Sequence, residues 1–381
     1  MRNLAAGIII LAMGVAAVTF LPRSATVRGV HEGPVPFDVS EWKTNFKKHS
    51  VPLNEIISGG PPKDGIPAID RPRFETVAQG DKWLKPTEPV ALFVQNGDAR
   101  AYPLQILIWH EIVNDVVGGS PATITFCPLC NTTITFDRRL EGRVLDFGTT
   151  GKLRFSDLVM YDRQTESWWQ QATGEAIVGD LTGKRLTFLP SQVVSWETFR
   201  QAYPQGKVLS RNTGYIRAYG QNPYAGYDNI NSSPFLYVGP RDTRLRPMER
   251  VVTISLNGED VAYPFSVLEK VRVVHDTVGG VPIVVFFAKG TASALDAGDI
   301  SRGRDVGAAG TFSPVLDGRR LTFQPAGETG FVDRETKSTW NVLGQATTGS
   351  LRGRQLRPII SGNHFWFSWA VFKPKTRIYA P

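Results

Sequence analysis

Cysteine is nearly absent from this chain. There are two among 381 residues, beside five histidines and four methionines. Two cysteines are too few for a disulfide framework, so the fold must rest on a packed core, and the length leaves room for two domains. Clustered positive charge is missing as well. Lys and Arg number 43 against 35 Asp and Glu, but they are scattered without a basic run. Nucleic-acid recognition would want a patch, so none is expected. The sequence holds no Gly-x-x-x-x-Gly-Lys phosphate loop, no serine in an elbow motif and no second histidine suited to a nucleophile triad. What it has in plenty is 37 Gly and 26 Pro among Val, Ile, Thr and aromatic residues. That mixture favours a mainly β fold with many turns and a few short helices.

Charge is also missing from residues 4–21, an apolar run preceded by Met1-Arg2-Asn3. The run is long for a signal-peptide core and near the lower limit for a membrane span. Residues 1–25 are therefore expected to be a signal peptide or a membrane anchor, with the rest of the chain in the periplasm or at the cell surface. Residues 26–87 look irregular, and residues 58–70 are too rich in Pro and Gly for regular structure. They read as a linker or as an ordered loop covering a site, with Asp64 and Asp70 able to reach into it.

Strand-like runs begin near residue 89. Pro103 is expected to open a short helical turn over residues 104–108. Residues 109–117 and 120–127 then read as two strands of a hairpin around Gly118-Gly119. A two-residue loop pairs Val117 with Ser120 and carries His110 to a place opposite Cys127. Facing side chains in such a pair lie about 4.5–5.5 Å apart at Cβ. Cys130 follows across a Pro-Leu turn, so one imidazole and two thiols are expected to converge at one end of the hairpin. Further strands are expected at residues 131–137, 157–162 and 167–170, and a short helix at residues 196–203.

The chain then repeats itself. Ala101-Tyr102-Pro103 returns as Ala262-Tyr263-Pro264, and Asp115-Val116-Val117-Gly118-Gly119 as Asp276-Thr277-Val278-Gly279-Gly280, both 161 positions later. Asp162-Arg163-Gln164-Thr165 is answered by Asp333-Arg334-Glu335-Thr336, Trp169 by Trp340, and Trp196 with Phe199 by Trp369 with Phe372. The period is far above that of solenoids. It predicts two tandem homologous β-rich domains, residues 88–240 and 248–381. At the same offset His110 meets Val271, Glu111 meets Arg272, Cys127 meets Ala288 and Cys130 meets Thr291. The reactive residues thus belong to the first copy alone, which marks it as the carrier of a site and the second as degenerate.

Several of these motifs together resemble one bacterial family. They are Gly59-Gly60-Pro61-Pro62-Lys63-Asp64-Gly65, Trp109-His110-Glu111-Ile112-Val113-Asn114-Asp115, Phe126-Cys127-Pro128-Leu129-Cys130 and Ser156-Asp157-Leu158-Val159-Met160-Tyr161-Asp162. The family is catalogued as domain of unknown function 3179, and the likeness runs from about residue 50 to the end. It implies no particular activity. Asn131 stands where glycine is expected after the second cysteine.

Two thiolates and an imidazole suit a metal ion, copper first and zinc or iron next. The expected ligands are His110, Cys127 and Cys130, with Met160, Glu111 or Asp157 as a fourth, or that position open to substrate. Glu111 or Asp157 would then act as the catalytic proton carrier. A different chemistry, thiol–disulfide exchange at Cys127 and Cys130 with His110 stabilising the thiolate, is the alternative. The run after Cys130 looks like a strand, whereas redox pairs of the thioredoxin kind open a helix. A third reading is a structural disulfide in a protein that catalyses nothing. The Tyr-rich loop around residues 218–237 is expected to close over something or to join the two copies.

Overall fold

Alternating apolar and β-branched residues, broken by glycine turns, build a mainly β protein. The computed structural model describes residues 35–381, and the signal or anchor expected over residues 1–25 lies outside them. Up to residue 87 the described chain holds only short pieces, β1 (Ile56–Ser58), β2 (Phe74–Thr76) and α1 (Val77–Gly80) among them. This segment is held to the body by side chains. Trp42 packs edge-on against Trp168 and Tyr161. Asp64 accepts from the Tyr161 hydroxyl at 2.5 Å and from Arg163 at 2.9 Å, and Asp70 accepts from Asn114 at 2.7 Å.

Next come β3 (Pro89–Gln95), β4 (Asp98–Pro103), α2 (Leu104–His110), β5 (Ile112–Val117), β6 (Ser120–Cys127) and β7 (Thr132–Asp137). A short ribbon of β8 (Arg139–Leu140) and β9 (Arg143–Val144) leads to β10 (Phe147–Arg154), β11 (Asp157–Asp162), β12 (Trp168–Gln170) and β13 (Glu175–Val178). Then follow β14 (Thr187–Leu189), β15 (Ser191–Ser195), α3 (Trp196–Ala202) and β16 (Lys207–Leu209). The opening set returns as β17 (Arg250–Leu256), β18 (Glu259–Pro264), α4 (Phe265–Val271), β19 (Val273–Val278) and β20 (Val281–Ala288), each bound 161 residues after its counterpart. The chain closes with β21 (Ala308–Phe312), β22 (Val315–Leu316), β23 (Arg319–Arg320), β24 (Phe323–Ala326), β25 (Gly330–Asp333), β26 (Thr339–Trp340), β27 (Gly362–Phe365), α5 (Trp366–Ala370) and β28 (Arg377–Ile378).

Strand register refines the repeat. β15 pairs with β3 so that Ser195 faces Pro89, and β27 pairs with β17 so that Phe365 faces Arg250. Trp366 is therefore the counterpart of Trp196, and Trp369 that of Phe199. Matching Trp196 to Trp369, as spacing suggests, is one helical turn out. Two tryptophans three residues apart sit on one helix face, and only the preceding strand shows which of them opens the helix.

The repeats share structure as well as pattern. One sheet runs β28-β18-β17-β27-β7-β6-β5, crossing from the second repeat to the first between β27 and β7. One apolar cluster joins Val90, Leu92 and Trp196 to Phe286, Phe312 and Phe331. Residues 35–381 belong to a single compact unit. Burying a large apolar side chain contributes about 1.5–3 kcal/mol, so this shared core binds the halves strongly. Trp168 and Trp169 are fully buried in two other apolar clusters.

The β5–β6 hairpin turns on Gly118 and Gly119, with φ of 52° and 79°. Two residues at positive φ are what a two-residue turn needs to match strand twist. A Cβ on Gly118 would lie 2.1 Å from the Gln95 carbonyl oxygen, whereas one on Gly119 would meet open space. Gly118→Ala is expected to destabilise the protein by about 3 kcal/mol or more, and Gly119→Ala by about 1 kcal/mol. Urea unfolding of the two variants beside the parent checks this, and equal losses would contradict it.

Candidate functional site

The site begins where α2 stops. Pro103 starts the helix, and the apolar run after it keeps a helical period through Trp109 and His110. Glu111 then takes φ 57° and ψ −30° and caps it, its N–H bonded to the Leu107 carbonyl. The hairpin ladder starts only at Ile112, opposite Thr125. The two-glycine register is present, with Val117 facing Ser120. His110, however, is the last residue of a helix and not a strand residue opposite Cys127. A period of 3.6 instead of 2 aims it elsewhere.

His110 is buried, and both ring nitrogens are engaged. Nδ1 lies 2.7 Å from the Pro67 carbonyl oxygen and Nε2 2.6 Å from the Tyr219 hydroxyl. A carbonyl only accepts, so Nδ1 carries the proton and Nε2 accepts from the tyrosine. Burial lowers the ring's pKa to about 4. The imidazole is a neutral tie between the N-terminal segment and the Tyr-rich loop, and the structure does not bring it into the group around the sulfurs.

The cysteines sit on a tight turn after β6. The N–H of Cys130 bonds to the Cys127 carbonyl at 3.2 Å, and that of Asn131 to Pro128 at 3.1 Å. Asn131 takes φ 50°, a left-handed conformation that asparagine tolerates better than most side chains. This is how it stands in for glycine. The second repeat grips the turn. The Cys130 carbonyl accepts from the Phe365 N–H at 2.8 Å and from the Ser368 hydroxyl at 3.3 Å.

The third component comes from the β10–β11 hairpin. Its turn residues, Phe155 and Ser156, have φ of 55° and 67° although neither is glycine. Non-glycine residues held there cost on the order of 1–3 kcal/mol each. The turn brings the Ser156 carbonyl within 3.4 Å of the Cys130 sulfur and 3.7 Å of the Cys127 sulfur. Asp157 follows. Both sulfurs and a carboxylate oxygen of Asp157 lie within 4.8 Å of one another, all three residues buried. Asp157 Oδ2 accepts from the Gln170 side chain and from the Ala172 N–H at 2.9 Å. Its Oδ1, equally buried, has no hydrogen-bond partner among the described residues.

Glu111 is the other neighbour. On a continuous strand it would face away from its neighbour's target; the turn at the end of α2 puts it within electrostatic reach of Asp157 and Cys127. Burial, with Asp157 adding to it, raises its carboxyl to about 8. Burial raises Asp157 to about 6 and lifts both thiols above their ordinary value. Met160 is fully buried in the apolar cluster that also holds both cysteines and Trp169, and it pairs across the sheet with Trp169. The Tyr-rich loop lies over all of this. Tyr224 stands close enough to Glu111 and Cys127 for both to raise its phenol after burial, and the Tyr227 hydroxyl donates to the Leu129 carbonyl at 2.9 Å. The closeness of the Ser156 carbonyl to the sulfurs and the place of Tyr224 over them are not legible in the motifs themselves. The clustering of tyrosines is the one signal that pointed to this loop.

The second repeat isolates what is special. Arg272 occupies the helix end with φ 60°, as Glu111 does, so the left-handed cap belongs to the fold. The carboxyl and the thiols belong to the first repeat only.

An acid whose folded pKa is raised binds more protons folded than unfolded, so stability falls as pH rises between the two values. For Glu111 that window runs from the ordinary glutamate range up to about 8. Metal-free protein is expected to lose up to about 1.4 kcal/mol per pH unit there from this group. Glu111→Gln should remove that slope and be the more stable form at pH 8. Parallel slopes for parent and variant in denaturant titrations at pH 5, 6.5 and 8 would contradict the assignment.

No curated protein and no solved structure matches the chain. A family profile does, over residues 63–376, the greater part of the sequence and all of the site just described. The chain belongs to the family described as protein of unknown function, DUF3179.

Proposed function

We propose that this is an extracytoplasmic metal-binding protein whose ion is held by Cys127, Cys130 and Asp157, with Glu111 as fourth ligand or as proton carrier beside an open position. The observation that carries this reading is the Asp157 carboxylate, buried against two thiols with one oxygen left unpartnered. An unpaired buried polar atom is costly, and a divalent ion would satisfy it. Such an ion would also displace the protons that burial forces onto the thiols and carboxyls. Carboxylate in place of imidazole moves the preferred ion from copper to zinc, with iron next, because Cu(I) favours soft sulfur and zinc accepts sulfur and oxygen together. Membership of the family is compatible with this reading and adds no activity to it.

Thiol–disulfide exchange is the second reading, since the two sulfurs are close. It is disfavoured by the chemistry of its nucleophile. A reactive thiol is exposed and has a lowered pKa, whereas both thiols here are buried and raised.

Elemental analysis of anaerobically purified protein, before and after loading with zinc, tests the proposal. About one zinc per chain is expected, lost at least tenfold in affinity in Cys127→Ser and Asp157→Asn. His110→Asn should keep its metal. Equal metal in the parent and Cys127→Ser would overturn the site, and copper displacing zinc at equal concentrations would overturn the choice of ion. A disulfide in the freshly purified, metal-free parent would favour the redox reading.

A further inference from the structure

Between β16 and β17, residues 210–249 form a long stretch with no helix or strand. Long ordered loops of this kind are usually functional. Its inner side is fastened over the first repeat by Tyr219 on His110, Tyr227 on Leu129 and the Ser156 hydroxyl on the Phe235 carbonyl. Its outer side is unlike the rest of the surface. Ile216 is 98 % exposed, Val238 66 % and Phe235 58 %, the three most exposed large apolar side chains among the described residues, and Tyr215 is 45 % exposed. Scattered single apolar residues on a surface mean little; here the three most exposed ones all fall on one segment, Phe235 and Val238 three positions apart.

The exposed charges of residues 211–241 are basic, and Asp242 just beyond them is paired with Arg244. The only acid between residues 211 and 241 is Asp228, fully buried and paired with Arg250 and Arg304. Arg217 and Arg241 remain near the apolar tips without an ion-pair partner among the described residues. Exposed aliphatic and aromatic tips beside arginines are what an anionic bilayer surface takes up, with rings at the headgroup level and guanidinium groups on phosphates. The sequence supplies a reason for nearness as well. The uncharged run of residues 4–21 ends thirteen residues before the described body begins. Thirteen extended residues span at most about 45 Å, so a run resident in a membrane would keep the body within reach of it.

We infer that the outer face of residues 211–241 docks on an anionic lipid surface, with Ile216, Phe235 and Val238 entering the interface and Arg217 and Arg241 on the headgroups. The face covers the Cys127–Cys130–Asp157 site, so docking and access to that site share one segment. The inference does not depend on which ion the site holds.

The test uses the full chain with phosphatidylglycerol–phosphatidylcholine vesicles. A polarity-sensitive fluorophore is placed in turn at Ile216→Cys, Phe235→Cys, Val238→Cys and, as a control away from the segment, Val144→Cys. The native thiols are buried, and parent protein carried through the same labelling sets the background. Lipid-borne nitroxide should quench the three segment labels several-fold more than the control, and Arg217→Gln with Arg241→Gln should reduce that quenching on anionic vesicles. Vesicle-bound chain whose three labels remain in water would overturn the inference, as it would show attachment by the N-terminal run alone. Label burial that appears without vesicles and rises with protein concentration would overturn it in favour of a second copy of the chain. No vesicle binding at all would overturn it outright.

Discussion

Four acidic groups are buried near one another in this protein, and among the described residues no fully buried cation is paired with them. Cys127, Cys130, Asp157 and Glu111 are all buried, and burial pushes each toward its protonated form. Arg154 exerts only a lesser pull on Asp157 and is itself paired with Glu55. A fold that only needed to pack would fill this space with apolar side chains at lower cost. The second repeat does so in part, with Ala288 where the first has Cys127. The shared burial of these groups is the constraint around which the rest can be understood.

The surroundings hold the four groups in place from independent directions. The end of α2 sets Glu111, the turn after β6 sets the thiols, and the strained β10–β11 turn sets Asp157. Each depends on a residue at positive φ that is not glycine: Glu111, Asn131, and Phe155 with Ser156. Strain of this kind persists only where neighbours over-determine it. Here they do, through the Phe365 and Ser368 bonds to the Cys130 carbonyl and the Ser156 bond to the loop above. The second repeat is therefore a structural partner of the site, and its strand β27 carries the sheet across to the cysteine turn.

His110 shows how far a local pattern can mislead. Its neighbours Trp109 and Glu111 are compatible with a strand, and a strand would have put the ring over Cys127. The helix begun by Pro103 carries on for seven residues, and reversing the chain at Glu111 exchanges the two side chains' directions. The imidazole goes to tie down Pro67 and Tyr219, and the carboxyl comes within electrostatic reach of Asp157 and Cys127. The side chains gathered at the site change from two thiols and an imidazole to two thiols and the Asp157 carboxylate.

Much of this was open to reading from the residues alone. β-branched alternation and glycine turns foretold a mainly β fold. The two-glycine turn at Gly118-Gly119 set the hairpin register, because side-chain alternation admits no half-step, and the 161-residue offset matched the opening elements of the repeat but not the later ones. The Cys-Pro-Leu-Cys turn was visible as a local motif. Tertiary structure decided what local periodicity cannot reach: whether helix or strand prevails at His110, which tryptophan opens α5, and which distant residue meets the sulfurs. Asp157 lies 27 positions beyond Cys130, on another sheet. Its approach depends on a turn whose strain is sustained by contacts from the second repeat and the overlying loop, and such contacts exist only once the chain has folded.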